Sequence, residues 1–574
     1  MPLKLSVLLA LRSSLAFFLL ICPIWSLSQS KTIFIYKPNS RYTYKRIDHP
    51  VEPVQILNNE IIETLNKKID TKFLLSTLTD RIEEHYIKEG IANNELLQWL
   101  KEHDLIRRNL WLAIDPHLDE APKVLEIFNE IRLARPKYFE KYAHLAIAFS
   151  LVYDTPDAIT SSRYRLIWCV DEKQYLPLPT MLEVYDYFTN PKNSKWFKCK
   201  IDKLVWPLLI HLVDLDLNED ERTWAYNKFR SHPKPLWESY KLIKYDYDKL
   251  LRRPKLGSRA YSLENLFNPN FGGVCVDQTH GSSRVMKTFG IPSIKVNGHG
   301  RFGGIGHAWC GFLRQKGSRY FFDFTGRYNQ NYYWTGKVFN PHTRENTSDR
   351  SMAMMLDGAL VSYYKYIVAT SLSRIAASIE EKHPLAAQKL YWQAIDENAY
   401  APEGWKGLAW QMKKKQVEKD DVSKFFREMF KEHSDHPDLS LELMKECCVP
   451  DIVASSHTRE KHFRSAARMY KDRPDLEVDL RIFQCQSLFK EGDIKNAVNL
   501  SSKTFAKHTN QGTLVIPLAK MMVEGTADKS AKVRSQCHDI LHKITEKQFP
   551  KEYNGEASVA YVQMRELIDS IVLE

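Results

Sequence analysis

The feature that most constrains this chain is a change of hydrophobic period partway along it. From about residue 58 to 247, apolar side chains recur at helical spacing. Val124, Leu125, Phe128 and Ile131 fall at i, i+1, i+4 and i+7, one face of a helix that Pro122 can open and Pro136 ends. Leu96, Leu97 and Leu100 make a similar face, as do Tyr142, Leu145, Ala146 and Phe149. Between Gly257 and Tyr333 glycines cluster, and strict alternation replaces the 3.6-residue period over 293–296, 307–313 and 319–324. From about Ser351 the helical period returns. The pattern predicts a multidomain α+β protein: a mainly helical region over 29–249, a compact α+β core over 250–345 and an α-helical region over 351–574. Residues 32–37 (TIFIYK) read as a lone strand.

At 574 residues the chain is long enough for several domains. With 44% hydrophobic and 26% charged residues it has the usage of a folded protein, which excludes whole-chain disorder and collagen. Residues 1–28 read as a secretory signal. Lys4 and Arg12 make the positive start, 15–24 (LAFFLLICPI) the apolar stretch, and Ser26-Leu27-Ser28 the small-residue cleavage site. The apolar stretch is short of the ~20 residues that a span needs. The expected location is therefore export, to periplasm, cell envelope or exterior, with no integral span after cleavage. Loss of two positive charges takes the formal +12 to about +10. That charge is spread along the chain, which is no nucleic-acid signature, and Lys413-Lys414-Lys415 reads as a solvated helix face. The eight cysteines beyond residue 28 are sparse and form no CxxC pair, so neither a disulfide scaffold nor a thiolate zinc site is indicated.

Three motif-like runs carry no function. Gly298-His299-Gly300-Arg301-Phe302-Gly303 spells GxGxxG, but a β-like run follows, whereas a dinucleotide site needs a helix there. Asp214, Asp216 and Asn218 begin like a calcium loop, but Glu219 and Ala225 occupy its sixth and twelfth positions, and Asn218 with Glu221 reads as a helix capping box. His433 and His436 read as surface residues. No cofactor and no metal is expected.

One constellation carries chemistry. Gly272-Gly273-Val274-Cys275 leads into a helical stretch that Gly290-Ile291-Pro292 closes, so Cys275 stands at a helix N-terminus, where partial positive charge favours a thiolate. The glycines leave room for a substrate backbone. His307 follows 32 residues later on one expected strand, and Asp323 another 16 later on the next. Cys, His and Asp can act as nucleophile, base and orienter. Cys310 falls on the other side of the strand from His307 and reads as core, Trp309 shares the His307 side, and His280 points away from the thiol.

These residues resemble the transglutaminase-like domains. The resemblance rests on Gly273-Val274-Cys275, Phe289-Gly290-Ile291-Pro292, Gly306-His307-Ala308-Trp309 and Phe322-Asp323-Phe324-Thr325, in the family's order, over residues ~250–340. It implies a papain-like core, with Cys275 as nucleophile, His307 as base and Asp323 as orienter. It also implies thiol attack on a peptide or protein carboxamide, with the Cys275 backbone N–H as one oxyanion donor; Asn270 is a candidate second donor by proximity. The β-sandwich and calcium sites of animal transglutaminases have no counterpart in this sequence. Signal, helical region, core and tail together are similar to exported bacterial members of the group.

In the tail, Ala387, Tyr391, Ala394, Ile395, Asn398, Pro402 and Trp405 resemble a tetratricopeptide helix pair, and Phe489, Gly492, Asp493 and Ala497 part of another. Ala387 and Ala497 are 110 residues apart, which is no multiple of 34, so an irregular array is expected. Two functions follow: an exported thiol-dependent acyltransferase or amidohydrolase, or an interaction scaffold binding protein partners through its C-terminal helices.

Overall fold

The computed structural model describes residues 70–573 apart from 92, 116–117, 155–178, 247–261, 301–305, 318, 325–332, 509–511, 550, 554–555 and 558. The proposed signal and the 32–37 strand lie outside the described residues.

Among the described residues, eight helices of eight or more residues precede the core: α1 (Thr71–Lys88), α2 (Asn94–Glu102), α3 (Asp104–Ala113), α4 (Ala121–Ala134), α5 (Ala143–Tyr153), α6 (Met181–Thr189), α7 (Trp206–Val213) and α8 (Glu219–Phe229). Their apolar stripes are buried as the sequence requires: Leu96, Leu97 and Leu100 on α2, and Val124, Leu125, Phe128 and Ile131 on α4. α4 has a proline in its opening turn and ends at Ala134, before Pro136. α8 carries the expected capping box: Glu221 N–H donates to Asn218 Oδ1, and Asn218 N–H to Glu221 Oε2.

The core is one helix, α9 (Cys275–Thr288), against a five-stranded antiparallel sheet. The strands are β1 (Ser293–Gly300), β2 (Gly306–Lys316), β3 (Arg319–Asp323), β4 (Tyr333–Phe339) and β5 (Asn346–Ser348), in the order β3-β2-β1-β4-β5. Gly290, at φ +69°, makes the turn from α9 into the sheet. The register pairs Lys295 with Cys310, Val296 with Trp309 and Gly298 with His307. It also pairs Phe312 with Asp323. The GxGxxG glycines begin at the end of a strand, β1, as their β-like continuation implies.

Thirteen-residue α10 (Asp349–Val361) and then α11 (Tyr363–Ile379) lead into a run of helix pairs. These are α12 (Pro384–Glu397) with α13 (Pro402–Lys413), α14 (Lys419–Glu432) with α15 (Pro437–Cys447), and α16 (Ser456–Met469) with α17 (Pro474–Lys490). α18 (Ile494–Lys507) with α19 (Gly512–Thr526), and α20 (Ala531–Gln548) with α21 (Val559–Asp569), continue it. A two-stranded ribbon, β6 (Glu552–Tyr553) and β7 (Glu556–Ala557), lies inside the last link. The first helices of successive pairs start 35, 37, 38 and 37 residues apart. The fold class is thus α+β with helical flanks. One buried apolar core runs continuously from Leu74 to Leu480, and a second from Val478 to Ile568.

Two sequence expectations change. His433 is fully buried and packs edge-on against Trp405, and His436 is mostly buried against Asp357 and Tyr400. Both end up inside because the turn they flank is the link between α14 and α15, which stacks on neighbouring helices. Among the described residues no helix is long and apolar enough to cross a membrane.

Candidate active site around Cys275

Cys275 is the first residue of α9. The approach to it is fixed by backbone. Gly272 sits at φ +59°, and a Cβ there would lie 2.5 Å from the Lys244 carbonyl oxygen. Gly273 N–H donates to that oxygen, and Asp246 N–H donates to the Gly273 carbonyl. A Cβ on Gly273 would meet the Asp277 Cβ at 2.5 Å. The two glycines therefore serve tight packing of this turn against 244–246 and α9, rather than leaving space for a ligand. Asp277, three residues from the helix start and fully buried, accepts the Val274 N–H at 2.8 Å.

The backbone N–H groups of Ala308 on β2 and Val276 on its own helix act on the Cys275 sulfur. These favour a thiolate, as does nearby Lys295, while Asp277 opposes it. Burial is the largest influence and outweighs them, so the thiol sits above its ordinary range and is neutral at rest. The helix N-terminus favours a thiolate, but burial of the sulfur outweighs it.

The pleat decides where the histidine stands. Cys310, buried, donates its S–H to the Thr279 carbonyl of α9 at 3.3 Å, so its side of β2 faces the helix, and burial pushes its thiol up to about 12. It is core, as expected. By alternation Ala308 and Phe312 share that side, and His307 and Trp309 take the other. The His307 and Trp309 rings are 6.2 Å apart, and Trp309 packs over Gly298 and Gly336, where any Cβ would overlap it. The group against the thiol is the Ala308 amide, with His307 as its chain neighbour on the alternate face. Burial holds the imidazole down to about 4, so it is neutral near pH 7.

Asp323 does not lie beside His307. Its register partner is Phe312, five residues further along β2, or roughly 17 Å at the rise of a strand. It is buried, and the Arg314 guanidinium donates to it at 2.9 Å. Both Phe312 and Asp323 belong to the helix-facing side of the sheet. Asn270 is exposed, with its N–H donated to Asn268 Oδ1 in a turn.

Sequence reasoning missed the buried charges on α9 and its partners. Arg284 holds Asp216 through two hydrogen bonds, and Lys287 pairs with Asp214. The aspartates that imitate a calcium loop are thus ligands for helix cations. Lys295, on β1, is buried beneath the same helix. A lysine inside an alternating strand next to Ile294 and Val296 was the available signal. Among the described residues no group of three or more acidic, His or Cys side chains could hold a metal ion. Compared with family models, curated proteins and solved structures, the chain shows no match.

Proposed function

We propose that this chain is an exported, thiol-dependent acyl-transfer enzyme or amidohydrolase built on a papain-like, transglutaminase-like core. The observation that supports this most is the setting of Cys275: a cysteine that opens a helix, with the backbone of Ala308, the residue after His307, favouring its thiolate. In the proposed cycle His307 takes the thiol proton and the thiolate attacks a carboxamide carbon. The C–N bond breaks, and ammonia or an amine leaves carrying the proton from the imidazolium. Water or a second amine then cleaves the thioester and restores the thiol. The Cys275 N–H, free of an i−4 acceptor at the first helical position, is aimed at the developing oxyanion. The neutral thiol and neutral imidazole describe the resting state.

A second reading is favoured by the Arg314–Asp323 pair and the raised Cys275 thiol: an interaction scaffold that keeps the fold without the chemistry and binds proteins through its C-terminal helices. Labelling with iodoacetamide across pH separates the two. The enzyme reading expects Cys275 to label faster than every other cysteine near neutral pH, with the rate lost in Cys275→Ala, reduced in His307→Ala and retained in Cys310→Ala. Ammonia release from glutamine peptides should follow the same variants. Equal, slow labelling of Cys275 and no ammonia would favour the scaffold.

A further inference from the structure

A buried charged side chain on the helix-facing side of the sheet is Lys295. Its Cα partner across the ladder is Cys310, whose sulfur reaches Thr279, and the Thr279 hydroxyl donates to the Cys275 carbonyl. Lys295 is therefore under the first turn and a half of α9, at 7% exposure. Its ammonium is supported by Asp277, Cys275 and Cys310 and opposed by Arg284, and Asp277 is fully buried at the third position of the same turn. The next layer is charge-matched without it, since Arg284 holds Asp216 and Lys287 holds Asp214 around a polar cavity of about 30 Å³ that Lys295 and His211 also line.

We infer that Lys295 and Asp277 form a buried, opposed charge pair that positions and tunes the Cys275 thiol. Lys295 is a positioning residue in this scheme, acting through the sulfur. The inference rests on the thiol-enzyme reading above. Burial drives the Lys295 ammonium well down and Asp277 supports it; a buried carboxylate and a buried ammonium each need the other. The other groups around the pair are His280, Arg284 and Lys287 on α9, His307 and Cys310 on β2, and Lys337 on β4. Glu238, Tyr240 and Lys241 come from the turn at 236–242, Lys244 and Asp246 from the segment after it, and His211, Asp214 and Asp216 from α7 and its exit.

The test is the pH profile of iodoacetamide labelling at Cys275 in the full mature chain carrying Cys310→Ala. Lys295→Met should move the midpoint up and slow labelling at pH 7 by about tenfold, the effect of a one-unit shift. Asp277→Asn, which keeps the acceptor for Val274, should move it down. Lys295→Arg should restore the parent profile. A merely structural role would lower stability in both Lys295→Met and Asp277→Asn without opposite shifts. If both variants fold by circular dichroism yet leave the midpoint unmoved while His307→Ala slows labelling, the Lys295 inference is overturned and the thiol reading stands. If Cys275 does not label preferentially even in the parent, the thiol reading fails first. If Lys295→Met does not fold, the sign of the Asp277→Asn shift decides.

Discussion

At the residue scale, the chemistry-bearing side chains obey the pleat before they obey any motif. His307 and Cys310 differ by three positions and so take opposite faces; one hydrogen bond from Cys310 to α9 therefore fixes the side of every residue on β2. Asp323 answers to register in the same way. An orienter must touch the imidazole, and Arg314 already occupies this carboxylate. Asp323→Asn should leave the Cys275 labelling rate within about twofold of the parent, because a pair with a partly exposed arginine contributes only about 0–1 kcal/mol. A tenfold drop in that rate, comparable to His307→Ala, would restore Asp323 to the mechanism. The motif residues were legible in the sequence. Their mutual geometry was not, because a one-residue difference in strand parity or a five-residue offset in register leaves the motif order intact.

At the scale of elements, the C-terminal helices form a repeat whose period the sequence hides. Ala387 and Ala497 are both the fourth residue of a first helix and both fully buried, three pairs apart. Their spacing of 110 residues spans periods of 35, 37 and 38, so testing it against 34 obscures the match. Links of varying length between helices of varying length spoil a strict sequence period while preserving packing positions. Successive pairs are held by bridges about one period long: Lys413 to Glu446, Lys445 to Asp479, and Arg473 to Asp438 through two hydrogen bonds. Arg473 is mostly buried and also holds Asp475, so Arg473→Ala strands two carboxylates. It should cost about 3–5 kcal/mol in urea unfolding, the usual penalty for removing one partner of a buried pair. A change below 1 kcal/mol would mean that the bridge is solvated. Likewise Gly407 lies under Tyr391, whose ring would be 2.2 Å from an added Cβ. Gly407→Ala should therefore cost about 1–3 kcal/mol by overpacking at the α12–α13 contact, seen as a lower melting temperature.

At the scale of the whole molecule, buried histidines set the response to pH. Burial holds His211 and His280 down to about 3, and His144, His307, His433 and His462 to about 4. Each binds a proton more readily unfolded, near pH 6.5, than folded. Their contribution is fully present above that value and is lost as pH falls toward 4. Glu221, raised to about 7 by burial, and His342, raised because Asp119 outweighs its burial, work in the opposite sense. Six lowered histidines against these two give a melting temperature that should fall by several degrees from pH 7 to pH 5. A flat or rising curve would show that these rings gain partners or water in solution. Because one apolar core runs from Leu74 to Leu480, the α1–α8 helices, the sheet and the early helix pairs should melt together, and the cluster from Val478 onward is the part able to unfold separately.

The sequence by itself determined what is local. Apolar period fixes where helices and strands lie, prolines and glycines fix where they stop, and Asn218 with Glu221 fixes a cap, since each depends on neighbours within a few residues. It also placed Cys275 at a helix start and Cys310 in the core. Only the tertiary structure decided what depends on distant pairing. Ladder register separates Asp323 from His307, helix–sheet docking buries the Cys275 thiol until desolvation outweighs the helix terminus, and the same docking buries Asp277 on the helix and Lys295 on the sheet. Those outcomes turn on which groups share a low-dielectric space, and no spacing along the chain encodes that.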